Sequence, residues 1–378
     1  VKPEQPLSVA LIGSRGIPGR YGGYETLMEE LAPRLLARGF RVTVYCRSHS
    51  TPRTLKSWRG VDLVVLPTLR GKYLDTPVHT FLSCLHATAA GYDAALVVNS
   101  ANALFVPLLR VAGIPVALNV DGIEKRRAKW GAFGRAVYAF SERLACVLPD
   151  ALVTDAEVIR RHYLERYGTE SVPIAYGVDP RPPAETGVLA RLGLEPRRYF
   201  LYVSRFEREN NPHRVAAAYR QVGGDLPLVM VGGAPYAGKF IAGFTRGADP
   251  RILFPGAIYG DGYRELQSHA LAYVHATEVG GTHPALVEAM GYGNCILVND
   301  TPENREVAGG VGLYFRAGEP DTLSERLEWV RSHSERARAR GRAAARRARR
   351  LFSWDQVADR YAALLERLAG RPGEPYAG

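Results

Sequence analysis

The chain has 378 residues, 46% hydrophobic and 23% charged, an ordinary balance for a soluble globular protein with room for two separate cores. Its apolar runs fall well short of the ~18 residues of a membrane-spanning helix, and the opening VKPEQPLSV lacks a signal peptide's apolar stretch. Cys46, Cys84, Cys146 and Cys295 are isolated and lack ligand spacing, so buried thiols in a reducing compartment, the cytoplasm, are expected.

Leu7 to Ile12 reads LSVALI, suited to a buried parallel strand. The thirteen residues GSRGIPGRYGGYE follow, with glycines at 13, 16, 19, 22 and 23. Helical spacing then begins at Leu27, Leu31 and Leu35, with Gly39 as the stop. A glycine loop that delivers the chain into a helix N-terminus places backbone N–H groups around an anion, most often a phosphate. Arg15 breaks the dinucleotide fingerprint G-x-G-x-x-G, and Tyr24-Glu25 after Gly23 break the P-loop. A flexible connection is the plain alternative, but long loops tend to carry function.

Further strands are predicted over 41–47, 62–67, 94–100, 115–120, 151–155 and 172–176, with helices around 78–90 and 132–147. The proline-rich stretch YGVDPRPPAET at 176–186 reads as a linker. A second series has strands over 199–205, 226–232, 252–256, 271–277 and 295–299, with helices over 212–221, 262–268 and 285–292. The fold class is therefore α/β, with two doubly wound parallel-sheet (Rossmann-like) domains facing a cleft at the carboxyl ends of their strands. The domains run over 1–176 and 177–351. A last helix and tail at 352–378, with an apolar face from Trp354 to Leu368, could pack back on the first domain.

The net charge of +11 is concentrated in Lys125-Arg126-Arg127-Ala128-Lys129 and in the arginine-rich segment 335–350, ERARARGRAAARRARR, whose composition favours a helix broken by one glycine. The second segment reads first as a solvated helix. No aromatic residues interleave with the arginines, and no zinc-finger or RRM signature occurs, so nucleic acid is not expected as a partner. Peripheral contact with the anionic inner face of a membrane fits better.

Four stretches, RGIPGRYGGYET (15–26), NVDGIEKRRAKW (119–130), SRFERENNP (204–212) and VGGTHPALVEAMGYG (279–293), resemble the family 4 glycosyltransferases of GT-B fold. More narrowly, they resemble the subgroup of bacterial rhamnosyltransferases of polysaccharide assembly. The resemblance implies a nucleotide diphospho-sugar donor, no cofactor, and a glycan or lipid-linked sugar as acceptor. It places the N–H groups of Gly22 and Gly23, and the cation of Arg205, on the diphosphate, with Arg205 stabilising the leaving group. Pairing of Arg205 with Glu207 or Glu209 at the surface is the alternative. Glu288 would hold ribose or sugar hydroxyls, and Gly280, Gly281, Thr282 and His283 would lie along the diphosphate and sugar. Asp121 would orient the acceptor hydroxyl or touch the donor sugar, or else cap the next helix. Arg20, Tyr21 and Glu124 are candidates on the acceptor side.

Two departures from the family pattern stand out. Its usual lysine is Asn210, beside Asn211, where an amide could donate to phosphate without bringing charge. The first glutamate of its E-x7-E motif is Gly280, which favours a deoxysugar such as rhamnose over glucose-type donors, unless Glu278 substitutes. No D-x-D motif occurs, so no metal is expected. Retention of configuration is implied by the resemblance alone. The competing readings are a nucleotide-sugar 2-epimerase, a non-catalytic nucleotide-sugar-binding protein and, more weakly, a nicotinamide dehydrogenase. His275 reads as a core histidine, and His79, His86 and His162 carry no pattern.

Overall fold

The computed structural model describes residues 5–19, 22–71, 74–123, 131–181, 185–234 and 237–371, without the side chain of Phe133. They form two compact units. The first contains strands β1 (Ser8–Ile12), β2 (Arg41–Arg47), β3 (Ser57–Trp58), β4 (Val61–Leu66), β5 (Ala94–Val98), β6 (Val116–Val120), β7 (Ala151–Thr154) and β8 (Val172–Pro173). Their order is β3-β4-β2-β1-β5-β6-β7-β8. Every pairing is parallel except that of the short β3 with β4.

Alternation along β1 shows why this sheet is buried on both sides. Val9 and Leu11 enter one core with Leu27, Leu31 and Leu35 of helix Gly23–Ala37. Ala10 and Ile12 enter the other, with Cys84, Val106 and Ala145 from three further helices. The C-terminal helix Trp354–Leu368 belongs to this unit: Trp354, Val357, Tyr361, Leu364 and Leu365 complete the first core. Its Tyr361 hydroxyl accepts from Asn119 Nδ2 at 2.7 Å in the interior. Phe352 and Ser353 stay with the second unit, where Val178 N–H donates to the Phe352 carbonyl at 2.6 Å.

The second unit holds β9 (Phe200–Arg205), β10 (Leu228–Gly233), β11 (Ile252–Gly256), β12 (Ala272–His275), β13 (Cys295–Asn299) and β14 (Leu313–Phe315), all parallel in the order β11-β10-β9-β12-β13-β14. The arginine-rich segment forms one continuous helix, Ser334–Leu351. Gly341 does not break it. A Cβ there would lie 2.0 Å from the Gly293 carbonyl oxygen, so the glycine lets two backbones meet. Ala337, Ala344, Ala345 and Ala348 share that buried face. Arg347 also turns inward, donating to the carbonyls of Glu306 and Val307 at 2.8 Å, which leaves it unavailable to a membrane.

Candidate active site

In the second sheet the chain runs β9, β10, β11 to one side and then returns to lay β12 on the other side of β9. The carboxyl ends of β9 and β12 therefore flank a topological switch point, where open sheets of this kind bind ligands. Arg205 is the last residue of β9. Its guanidinium is one-third exposed, and the Glu207 carboxylate stands 3.8 Å away, too far for a tight pair. Asn210 Nδ2 donates to the Arg205 carbonyl at 2.7 Å, and the Tyr202 hydroxyl donates to the Asn210 carbonyl at 2.8 Å. Asn211, in the left-handed region at φ 56°, donates both amide hydrogens inward, to the Ala276 carbonyl and to Glu278 Oε1, each at 2.9 Å.

These contacts correct one sequence expectation and narrow another. Asn211 has no amide hydrogen left for a phosphate, and Asn210 has used one of its two. Both side chains are buried and lock the loop that carries Arg205 to the end of β12. Glu278 is also engaged, its Oε1 meeting Asn211 and, at 3.4 Å, Arg214.

The turn after β12 explains the missing glutamate. Gly280 has φ 151°, and a Cβ there would lie 2.4 Å from His283 Cε1. The His283 ring occupies the space a side chain at 280 would need. It packs against His275, with ring centroids 4.8 Å apart, and burial pushes the His275 pKa down to about 3, leaving it neutral. Gly281 and Thr282 complete the turn, with Thr282 buried. His283 is the N-cap of helix Pro284–Gly291.

Glu288 lies in the middle of this helix. Its carboxylate accepts a short hydrogen bond from the Tyr263 hydroxyl, which accepts from Gln267 Nε2 at 3.0 Å. Asn294 Nδ2 in turn donates to Gln267 Oε1 at 3.1 Å. Burial, reinforced by Glu288, raises the Tyr263 pKa well above its ordinary value, so the phenol remains a donor. Tyr263 and Gln267 were not foreseen from sequence. Their spacing on helix Gly260–His269 puts them on one face, the only signal available.

In the first sheet the switch point falls between β1 and β5, and the glycine loop leaves β1 there. Gly13, at φ 109°, closes against β5, where a Cβ would stand 2.6 Å from the Val98 oxygen. Much of the loop satisfies itself. Arg15 N–H donates to Glu25 Oε1 at 2.9 Å, Gly16 N–H to Ser14 Oγ at 3.1 Å and Gly19 N–H to Glu29 Oε2 at 2.6 Å. These three amides are engaged within the loop, and Gly22 and Gly23 stand where the helix starts. Gly22 is extended, and its carbonyl accepts from Thr26 N–H at 3.1 Å.

Asp121 follows β6, half-buried, and its N–H donates to the Tyr24 hydroxyl at 3.2 Å, tying the strand end to the first turn of that helix. It does not cap helix Ala132–Val147, whose N-cap is Gly131. Arg20, Tyr21 and Glu124, like the basic segment 125–129, lie outside the described residues. Among the described residues no group of three or more His, Cys, Asp or Glu is placed to hold a metal ion.

Residues 22–177 match the glycosyl transferase 4-like domain, and residues 190–347 match the family of glycosyl transferases group 1. No curated protein matches the chain in sequence. In fold it is similar to a sucrose-phosphate synthase from Thermosynechococcus elongatus (TM-score 0.81, 18% identity, 96% of this chain and 99% of that one). It is also similar to Anabaena HepE solved with UDP-glucose (0.77, 15%, 95% and 99%). A third similar structure is the trehalose 6-phosphate synthase of Burkholderia multivorans (0.69, 12%, 99% and 100%). With a matched domain over each half and this architecture, the chain is a glycosyltransferase of the group 1 and 4-like type, built on the GT-B fold.

Proposed function

We propose that this glycosyltransferase moves a sugar, rhamnose or a similar hexose, from a nucleotide diphospho-sugar to a glycan or lipid-linked acceptor at the inner face of the membrane. The observation that carries the reading is the Arg205 guanidinium, held at the switch point of the second sheet by a locked loop, with no tight carboxylate partner. A cation fixed there is suited to a diphosphate, and it stabilises negative charge as the glycosidic bond breaks. HepE, a similar fold, was solved with UDP-glucose, which supports a nucleotide-sugar donor.

In this reading the first unit meets the diphosphate with the N–H groups of Gly22 and Gly23, at the positive end of helix Gly23–Ala37. The turn Gly280 to His283 runs along the diphosphate and sugar, and the pinned carboxylate of Glu288 accepts from ribose or sugar hydroxyls. Asp121 orients the acceptor hydroxyl. The lack of a side chain at Gly280 removes one hydroxyl acceptor, which favours a donor with fewer hydroxyls to satisfy. Arg205 and the helix N-termini carry the charge that a metal would otherwise meet, and configuration is retained by front-face attack.

The test is release of nucleoside diphosphate from dTDP-rhamnose, UDP-glucose and GDP-mannose, with and without a lipid-linked glycan acceptor. Release that depends on acceptor supports transfer. Interconversion of donors without acceptor would identify an epimerase, and tight binding without turnover would identify a sensor.

A further inference from the structure

One face of the first unit is apolar where water is expected. Helix Asp75–Ala90 carries no Lys, Arg, Asp or Glu after its first residue, although its inner face is already filled by His79, Thr80, Ser83, Cys84 and Ala87. Outward, Phe81 is 43% and Leu85 51% exposed, one turn apart, with Leu74 54% exposed just before them. The Phe81 ring lies 6.2 Å from Phe105 at the end of the turn Ser100–Phe105, whose Leu104 is 56% exposed. That turn packs against helix Asp75–Ala90 and also against helix Ala132–Val147, which exposes Val137 and Phe140. Beneath them Cys84, Ala87, Ala103 and Ala145 belong to a single core, so the three segments form one layer over one side of the sheet.

A helix facing water normally presents charge there, and a contiguous apolar patch with a polar rim marks an interaction surface. The rim identifies the occupant. Across 76–90, 100–111 and 131–147 the only carboxylate is Glu142, which is buried. Arg135 and Arg143 are exposed, whereas Arg110 is paired with Asp150 at 3.0 Å. A second copy would bring the same positive charge to the contact. An anionic phospholipid surface matches both properties, taking the apolar side chains at its acyl boundary and the arginines at its phosphates. No described helix is long and apolar enough to cross a membrane, so the contact is peripheral. We infer that this face of the first unit docks on an anionic lipid bilayer.

The test is co-sedimentation of the full chain with phosphatidylcholine vesicles, with and without phosphatidylglycerol. Beside it runs the double variant Phe81→Ser/Leu85→Ser, both positions exposed and outside the donor site. The wild type is expected to bind the phosphatidylglycerol vesicles preferentially and less well at high salt, and the double variant about tenfold or more weakly. Equal binding to both vesicle types, no binding, or binding untouched by the serines overturns the inference. So does a concentration-dependent dimer that the serines abolish. Stabilisation by a nucleotide sugar is expected to be the same in both proteins, so failure of this inference is distinguishable from failure of the donor reading.

Discussion

Tyr263→Phe removes one oxygen from a chain of polar groups that ends on Glu288. The hydroxyl donates to the Glu288 carboxylate and accepts from Gln267 Nε2, and both bonds vanish together. A hydrogen bond to a charged acceptor contributes about 1.5–3 kcal/mol, and an interior N–H left without an acceptor adds to the cost. The net loss should be about 2–3 kcal/mol, which for a unit of this size lowers the melting temperature by roughly 4–12 °C. Calorimetry without ligand reads that arm, and titration with the donor reads the other. A Glu288 carboxylate freed from its anchor should bind the donor more weakly and lower kcat/KM. Unchanged melting together with unchanged donor affinity would refute the reasoning that Tyr263 holds Glu288 in place.

Gly280→Ala should destabilise the fold by about 1–3 kcal/mol from backbone strain alone, and the clash with His283 adds to it; denaturant titration of His283→Ala/Gly280→Ala should recover only the clash component. Gly341→Ala should cost more than an exposed helical Gly→Ala change, because its Cβ meets the Gly293 backbone, and a neutral or stabilised variant would contradict the packing. Tyr361→Phe should lower the stability of the first unit by about 1–3 kcal/mol, since Asn119 Nδ2 loses its interior partner. Burial lowers the pKa of His79 to about 4 and of His275 to about 3, so both stay neutral in the fold while an unfolded histidine protonates near 6.5. The unfolded state then binds more protons between those values, so stability is fully present above ~6.5 and falls with pH by up to about 1.4 kcal/mol per unit per histidine. Urea titrations at pH 7 and pH 5 measure this, and His275→Leu should flatten the slope.

The alternation of strand and helix was legible because both sheets are covered on two faces, which makes their strands short apolar runs. The amphipathic stripe from Trp354 to Leu365 likewise announced a packed helix. Short elements were harder. β3 has two residues and β14 three, too few for periodicity to speak. In the candidate site, motif spacing singled out Arg205, Gly280 and Glu288, but the direction of a side chain is a tertiary matter. Asn210 and Asn211 look like phosphate donors in sequence, but they donate inward to the carbonyls at 205 and 276. Gly341 reads as a helix breaker until Gly293 is seen beneath it. Tyr263 belongs to no motif, and only the fold brings it to Glu288.

The central claim is that Arg205 anchors the diphosphate of a nucleotide sugar. Thermal stabilisation of the wild type and of Arg205→Ala by dTDP-rhamnose, UDP-glucose, UDP-N-acetylglucosamine, GDP-mannose and NAD tests it most directly. A donor at ~100 times its Kd should stabilise the wild type by about 2.7 kcal/mol, and the shift should disappear in Arg205→Ala. A shift with NAD and with none of the sugar nucleotides, or an equal shift in both proteins, would contradict it.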